Sequence, residues 1–256
     1  MPGTEFLDAE SPIAFAHRGF APDGAENSMA AFQRAVDLGY RYLETDVRVT
    51  ADGVALAFHD GTLDRVTDRT GRIAALPWAE VRRARIGGRE PIPLLTELLA
   101  AWPDVRINVD VKAEHSIAPT VEAIRRTGTV KRVCVGAFST RRIDAVRRAL
   151  GPDLCTSLGP RAAMRLRLPG GGQARRGPRL TGRCAQVPAR IGWRIFIDAR
   201  YLAAAHARGV PVHAWTVNEE AEMIRLLDIG VDGIMTDRAD VLRDVLARRG
   251  QWQQAA

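Results

Sequence analysis

Short apolar runs alternate with helical patterns along most of this chain, and that alternation requires a parallel sheet whose strands are joined by crossover helices. The strand-like runs are Ile13–Ala16, Tyr42–Val47, Val54–Phe58, Arg106–Val111, Arg132–Phe138, Leu154–Leu158, Val210–Val217 and Gly233–Thr236. Helical stretches lie between them, among them Ser28–Leu38, Ile117–Thr127, Thr140–Leu150, Arg200–Arg208 and Ala239–Arg248. Gly39, Gly128, Gly151, Gly209 and Gly230 stand just past helix ends, where a left-handed C-cap belongs. Eight strands with crossovers close naturally into a (β/α)8 TIM-type barrel, and 256 residues is a usual size for one. An open doubly wound sheet is the alternative, but no GxGxxG follows the first strand.

The chain, 1–256, therefore reads as a single α/β barrel domain with two interruptions. Residues 61–91 follow the third predicted strand and exceed an ordinary βα loop. They carry turn chemistry at Asp68-Arg69-Thr70-Gly71 and a short helical pattern from Trp78 to Arg85, so they read as an inserted subdomain at the barrel mouth. Residues 161–190 hold Pro169-Gly170-Gly171-Gly172 and many arginines with little periodicity, and read as an irregular solvated loop. Within it Cys184–Val187 has the makings of an extra strand.

Composition excludes several classes. Cys134, Cys155 and Cys184 have no CxxC or Cys/His spacing and read as small buried hydrophobes in a reducing compartment. The first ten residues hold three acids and no apolar run, unlike a signal peptide, and no stretch has the length of a membrane span. The expectation is a cytoplasmic protein. Of the basic residues only Lys112 and Lys131 are lysines; the rest are arginines scattered along predicted helices, not interleaved with aromatics as on a nucleic-acid stacking platform. The net charge of +7 suits anionic phosphodiesters and weak contact with a membrane surface, without demanding either. Nothing in the sequence indicates an oligomeric state.

The chemistry gathers at predicted strand ends. The first strand ends in His17-Arg18-Gly19, followed by Glu26-Asn27-Ser28; the second carries Glu44-Thr45-Asp46, the third ends in His59-Asp60, and the fourth carries Asp110-Val111-Lys112. Residues two apart on a strand share a face, so Glu44 with Asp46, and Asp110 with Lys112, point together into the barrel mouth, where barrel active sites are built. Charges among Leu43, Val47, Val109 and Val111 are costly unless paired or metal-bound. Glu44, Asp46 and Asp110 offer hard oxygen ligands that suit Ca2+ or Mg2+ better than zinc. Arg18 and Lys112 offer the cations a phosphate needs, and His17 and His59 can exchange protons near neutrality.

Those motifs, together with Trp215-Thr216-Val217-Asn218 and Gly230-Val231-Asp232-Gly233-Ile234-Met235-Thr236-Asp237, make the chain resemble the glycerophosphodiester phosphodiesterase family over nearly its whole length. The resemblance implies metal-dependent hydrolysis of a small-molecule glycerophosphodiester to sn-glycerol 3-phosphate and an alcohol. It implies His17 and His59 as the acid/base pair, Glu44, Asp46 and Asp110 as ligands of the divalent metal, Arg18 and Lys112 on the phosphate, and Trp215 lining the pocket. The third carboxylate is often Glu in the family and is Asp110 here; Ala239 stands where proline is frequent. A phospholipase-type enzyme acting on lysolipids and a non-catalytic phosphodiester-binding barrel are the rival readings.

Overall fold

The computed structural model describes residues 5–8, 12–168 and 180–252. Eight parallel strands form its sheet: β1 Ile13–His17, β2 Tyr42–Val49, β3 Arg106–Val111, β4 Val133–Gly136, β5 Cys155–Thr156, β6 Ala185–Pro188, β7 Val212–Trp215 and β8 Gly233–Thr236. They pair in the order β5-β4-β3-β2-β1-β8-β7-β6. The curl brings the two edge strands together at one parallel bridge, Ser157 to Cys184, with Leu158 N donating to Cys184 O at 2.7 Å and Arg183 N to Thr156 O at 2.8 Å.

Two-residue periodicity divides each strand between an outer core and the barrel interior. Outward-facing Leu43, Val47, Ile107, Val109, Val111, Val133 and Val135 pack under the helices Leu95–Ala101, Ile117–Thr127 and Thr140–Leu150. A second outer core gathers Val212, Ala214 and Ile234 under Ala199–His206, Glu220–Asp228 and Ala239–Arg248. The inward rows are apolar below and charged above. On β1 the row is Ile13, Phe15, His17; on β2 it is Tyr42, Glu44, Asp46. Phe15 meets Tyr42 edge-on at 5.2 Å, and Phe6 closes the bottom beneath them, its carbonyl accepting from the Tyr42 hydroxyl at 2.8 Å. Full burial of a side chain like Phe6 stabilises by about 3 kcal/mol.

Cys134, Cys155 and Cys184, distant in sequence, meet in this lower interior with their sulfurs within 4.8 Å of one another. Burial pushes the Cys134 thiol well above its ordinary value, and the Cys184 thiol is raised beside it. His213 lies in the same apolar layer, fully buried against Phe15 at 5.0 Å, with neither ring nitrogen hydrogen-bonded.

The strand set differs from the expectation at two points. The run Val54–Phe58 contributes the strand Ala55–Ala57, which lies antiparallel to β2 and outside the parallel order. A tight turn explains it: Thr50 N donates to Val54 O at 3.1 Å, Thr50 Oγ1 bonds Asp52, and Gly53 takes φ +87°. Such a turn can only return the chain beside itself, since a parallel neighbour needs a long crossover. The place in the barrel goes to β6, close to the extra strand anticipated at Cys184–Val187, inside the 161–190 stretch otherwise expected to be irregular. That stretch also begins with the helix Pro160–Arg165, while its Pro169–Gly172 run lies outside the described residues.

After Ala57 the chain builds short elements around a small core of Leu56, Phe58, Leu63, Ile73, Val81, Ala84, Ile86 and Ile92. The expected helix from Trp78 to Arg85 is only Trp78–Val81, and Arg85–Ile86 instead pairs antiparallel with Glu90–Pro91. A second hairpin, Arg190–Ile191 with Arg194–Ile195, follows β6. Among the described residues no helix is long and apolar enough to cross a membrane.

Candidate active site

All eight residues singled out by the sequence, His17, Arg18, Glu44, Asp46, His59, Asp110, Lys112 and Trp215, line one cavity of about 310 Å3 at the C-terminal end of the strands. Strand register brings most of them there. His17 on β1 is opposite Glu44 on β2, and Asp46 is opposite Asp110 on β3. Backbone beyond β1 makes a sharp turn to aim Arg18: Arg18 and Gly19 take φ +58° and +82°. A Cβ at Gly19 would stand 2.7 Å from the backbone of Ala31, so the turn can lie against the helix Met29–Asp37 only with glycine there.

Each histidine is oriented by a carboxylate. His17 Nδ1 lies 2.6 Å from Asp237 Oδ1, and Nε2 faces Glu44 Oε2 at 3.6 Å. His59 Nδ1 lies 2.6 Å from Asp60 Oδ1, and Arg48 Nε donates to the His59 carbonyl at 2.8 Å. A carboxylate can only accept, so both rings hold their proton at Nδ1 and leave Nε2 for exchange. Further groups fix the carboxylates. Asn218 Nδ2 donates to Asp237 Oδ2 at 2.8 Å, and Arg65 Nε donates to Asp60 Oδ2 at 2.6 Å. Desolvation pushes Asp60 up, but the bonds from Arg65 and His59 outweigh it and hold the carboxyl down to about 2. Asp237 is likewise lowered, against desolvation, by its bond to His17.

The cations are tied into the same network. Lys112 Nζ bridges Asp46 Oδ1 at 2.7 Å and Asp110 Oδ2 at 2.6 Å. Arg18 pairs with Asp46 Oδ2 at 3.1 Å and with Glu26 Oε1 at 2.9 Å, and Arg65 also reaches Glu26 at 2.7 Å. Burial raises Asp46, yet Lys112 and Arg18 overcome it and hold this carboxyl below the usual range. Glu44 goes the other way, pushed up to about 8 by burial and then by Asp46. His17 is also raised: desolvation lowers it, but Glu44 and Asp237 prevail.

The carboxylate oxygens have the chemistry of a hard-cation site. Asp110 Oδ1 is buried with no hydrogen bond, and Glu44 is 4 % exposed beside the ionised Asp46. The three carboxylates are looser than the cysteine cluster, which is the one group of three or more such ligands held within 4.8 Å among the described residues. Lys112 stands between two of them.

Opposite this charged wall lies an apolar one of Phe138, Leu158, Met164, Val187, Ile191, Phe196 and Trp215. Phe138 meets Trp215 edge-on at 5.5 Å. Trp215 therefore lines the pocket in addition to packing. Sequence reading missed Asp237 as a partner of His17. Its signal is positional: a carboxylate directly after the last strand, which closure of a barrel sets beside the first. Gln186 and Asn108, joined at 2.7 Å in the cavity, were missed as well: both lie on runs read as strands, but neutral amides carry no charge signal to single them out.

The sequence profile of the glycerophosphoryl diester phosphodiesterase family matches residues 17–241. The chain is 45% identical to the probable glycerophosphodiester phosphodiesterase 2 of Mycobacterium tuberculosis, over 99% of this chain and 98% of that one. It is similar in structure to a putative glycerophosphoryl diester phosphodiesterase from Silicibacter pomeroyi, at a TM-score of 0.79 and 24% identity, covering 97% of this chain and 99% of the other. A phosphodiesterase of Oleispira antarctica, solved in complex with the product sn-glycerol-3-phosphate, superposes with a TM-score of 0.77 at 24% identity, over 93% of this chain and 97% of that one.

Proposed function

The chain belongs to the glycerophosphoryl diester phosphodiesterase family, and from that membership we propose that it hydrolyses a glycerophosphodiester to sn-glycerol 3-phosphate and an alcohol with the help of a divalent cation. The observation that carries the reading is the pair of histidines, each held at Nδ1 by a carboxylate 2.6 Å away and each lining the same cavity. A pocket that only bound phosphodiesters would have no use for two imidazoles each oriented through Nδ1.

In this reading Arg18 and Lys112 hold the phosphate and stabilise the charge that builds on its oxygens during attack. One histidine takes a proton at Nε2 from the attacking hydroxyl, and the other delivers one from Nε2 to the leaving alkoxide. Asp237 and Asp60 keep the rings in the tautomer that permits this. Glu44 and Asp46, with the free oxygen of Asp110, would hold Ca2+ or Mg2+, hard cations that match an all-oxygen donor set. Such an ion supplies polarisation of a phosphoryl oxygen and neutralisation of its charge. Residues 61–91, with Arg65 reaching the site, we read as the insertion typical of the family.

Release of glycerol 3-phosphate from glycerophosphocholine, followed in a coupled assay with and without chelator, tests the proposal. Turnover should vanish on chelation and return with Ca2+ or Mg2+ better than with Zn2+. Full activity in chelator would remove the metal from the mechanism, and absence of product under every condition would remove the reaction.

A further inference from the structure

Seven large hydrophobic side chains stand exposed among the described residues, and six of them belong to three segments that edge the cavity. Phe138, 65% exposed, follows β4. Met164 and Leu168 lie on and just after the helix Pro160–Arg165. Ile191, Trp193 and Ile195 occupy the hairpin after β6, with Trp193 82% exposed. Phe138, Met164 and Ile191 also line the cavity, so the pocket's apolar wall continues onto the outer surface. Single exposed hydrophobics are ordinary; six gathered at one mouth are not.

Within the two longer segments the charge has one sign. Residues 160–168 and 190–195 contain five arginines and no carboxylate. Arg190 and Arg167 are paired at 3.1 and 2.7 Å with Glu222 and Asp198. Arg161 and Arg165 are exposed and form no ion pair among the described residues, and the Arg194 guanidinium lies over the Trp193 ring at 4.9 Å. All six residues of the hairpin, Arg-Ile-Gly-Trp-Arg-Ile, are exposed.

We propose that this hairpin, the helix Pro160–Arg165 and Phe138 form a docking surface for an anionic bilayer, which seats the mouth of the cavity against the membrane. Tryptophan and isoleucine side chains enter the headgroup region while arginines meet lipid phosphates, the amphipathic division that interfacial segments use. A second copy of the chain is a poor occupant, because a two-fold contact would set arginine against arginine and shut the cavity. A bilayer complements the charge and leaves the mouth facing phosphodiesters. That last consequence rests on the phosphodiesterase reading; the docking itself does not.

The test uses the full chain with vesicles of phosphatidylcholine alone or mixed with phosphatidylglycerol, read by cosedimentation. The protein should bind the anionic vesicles, more weakly at high salt, and hardly bind the neutral ones. Trp193→Ala with Ile195→Ala, and separately Arg161→Glu with Arg165→Glu, should each lower partitioning at least about tenfold. None of these four residues lines the cavity, so both variants should keep wild-type hydrolysis of glycerophosphocholine. Failure of the wild type to bind anionic vesicles, or unchanged binding in both variants, would overturn the proposal. So would a dimer in solution that Trp193→Ala converts to monomer. Loss of glycerophosphocholine hydrolysis by the wild type would instead count against the phosphodiesterase reading and leave the docking result standing.

Discussion

His17 and His59 reach the same cavity from unlike places, one from the end of a barrel strand and the other from the return arm of a hairpin. They share a device, a carboxylate on Nδ1, and this makes Asp237 a positioning residue open to test. Asp237→Asn would place an amide against Nδ1, and an amide nitrogen there favours the wrong tautomer. We expect kcat to fall about 10^2- to 10^4-fold with KM little changed, and Asp237→Glu to recover part of it. The pH–rate profile should shift at the same time, because Asp237 helps to raise His17. A proportionate loss of folded protein with an unaltered profile would make the role structural. Glu44 was readable from spacing, since two-residue periodicity puts it with Asp46 on an inward face, and His17 from its place at a strand end. The Asp237 contact spans 220 residues of sequence, and only closure of the sheet creates it.

At the level of elements, the turn between β1 and the helix Met29–Asp37 governs the site. Gly19 lies against that helix, Asn27 N donates to Arg18 O at 2.9 Å, and the Ser28 hydroxyl caps the helix through Ala31 N at 3.1 Å. Gly19→Ala must take an unfavourable φ and push on helix backbone as well. The cost should exceed about 2 kcal/mol, seen as a lower Tm, with a drop in kcat because Arg18 moves too. A variant that melted like the wild type would show that the helix yields easily. Element types were largely legible: the strand and helix alternation is the fold. Direction was harder. Val54–Phe58 has the composition of a barrel strand, and only the turn chemistry of Thr50, Asp52 and Gly53 betrays its reversal. In contrast β6 is four residues, Ala-Gln-Val-Pro, in an arginine-rich stretch, and draws its burial from neighbours that sequence cannot display.

For the molecule as a whole, His213 ties stability to pH. Burial pushes its pKa down to about 4, against the pull of Asp232 and Cys155. The folded ring therefore stays neutral while the unfolded one takes a proton below the ordinary value of about 6.5. The unfolded state binds more protons in that window, so stability is full above it and declines as pH falls toward 4, by on the order of 3 kcal/mol in all. His213→Leu should flatten this decline when Tm is followed from pH 7 to pH 4. Comparison with the wild type isolates the histidine from Glu44, whose raised pKa costs stability as pH rises instead. Equal slopes in the two proteins would mean that water or a partner reaches the ring.

The two walls of the cavity are also two stretches of gene. The ionic wall, His17 through Lys112, is encoded before the apolar wall, Phe138 through Trp215, and Gln186, Asn218 and Asp237 reach back across through side-chain bonds. Exchange of the stretch from Gly136 to Trp215 alone would hand a descendant a new pocket wall together with the inherited histidines, carboxylates and Asp237. Lineages built this way can diversify in what they accept, and in where they meet it, while the bond they break stays the same.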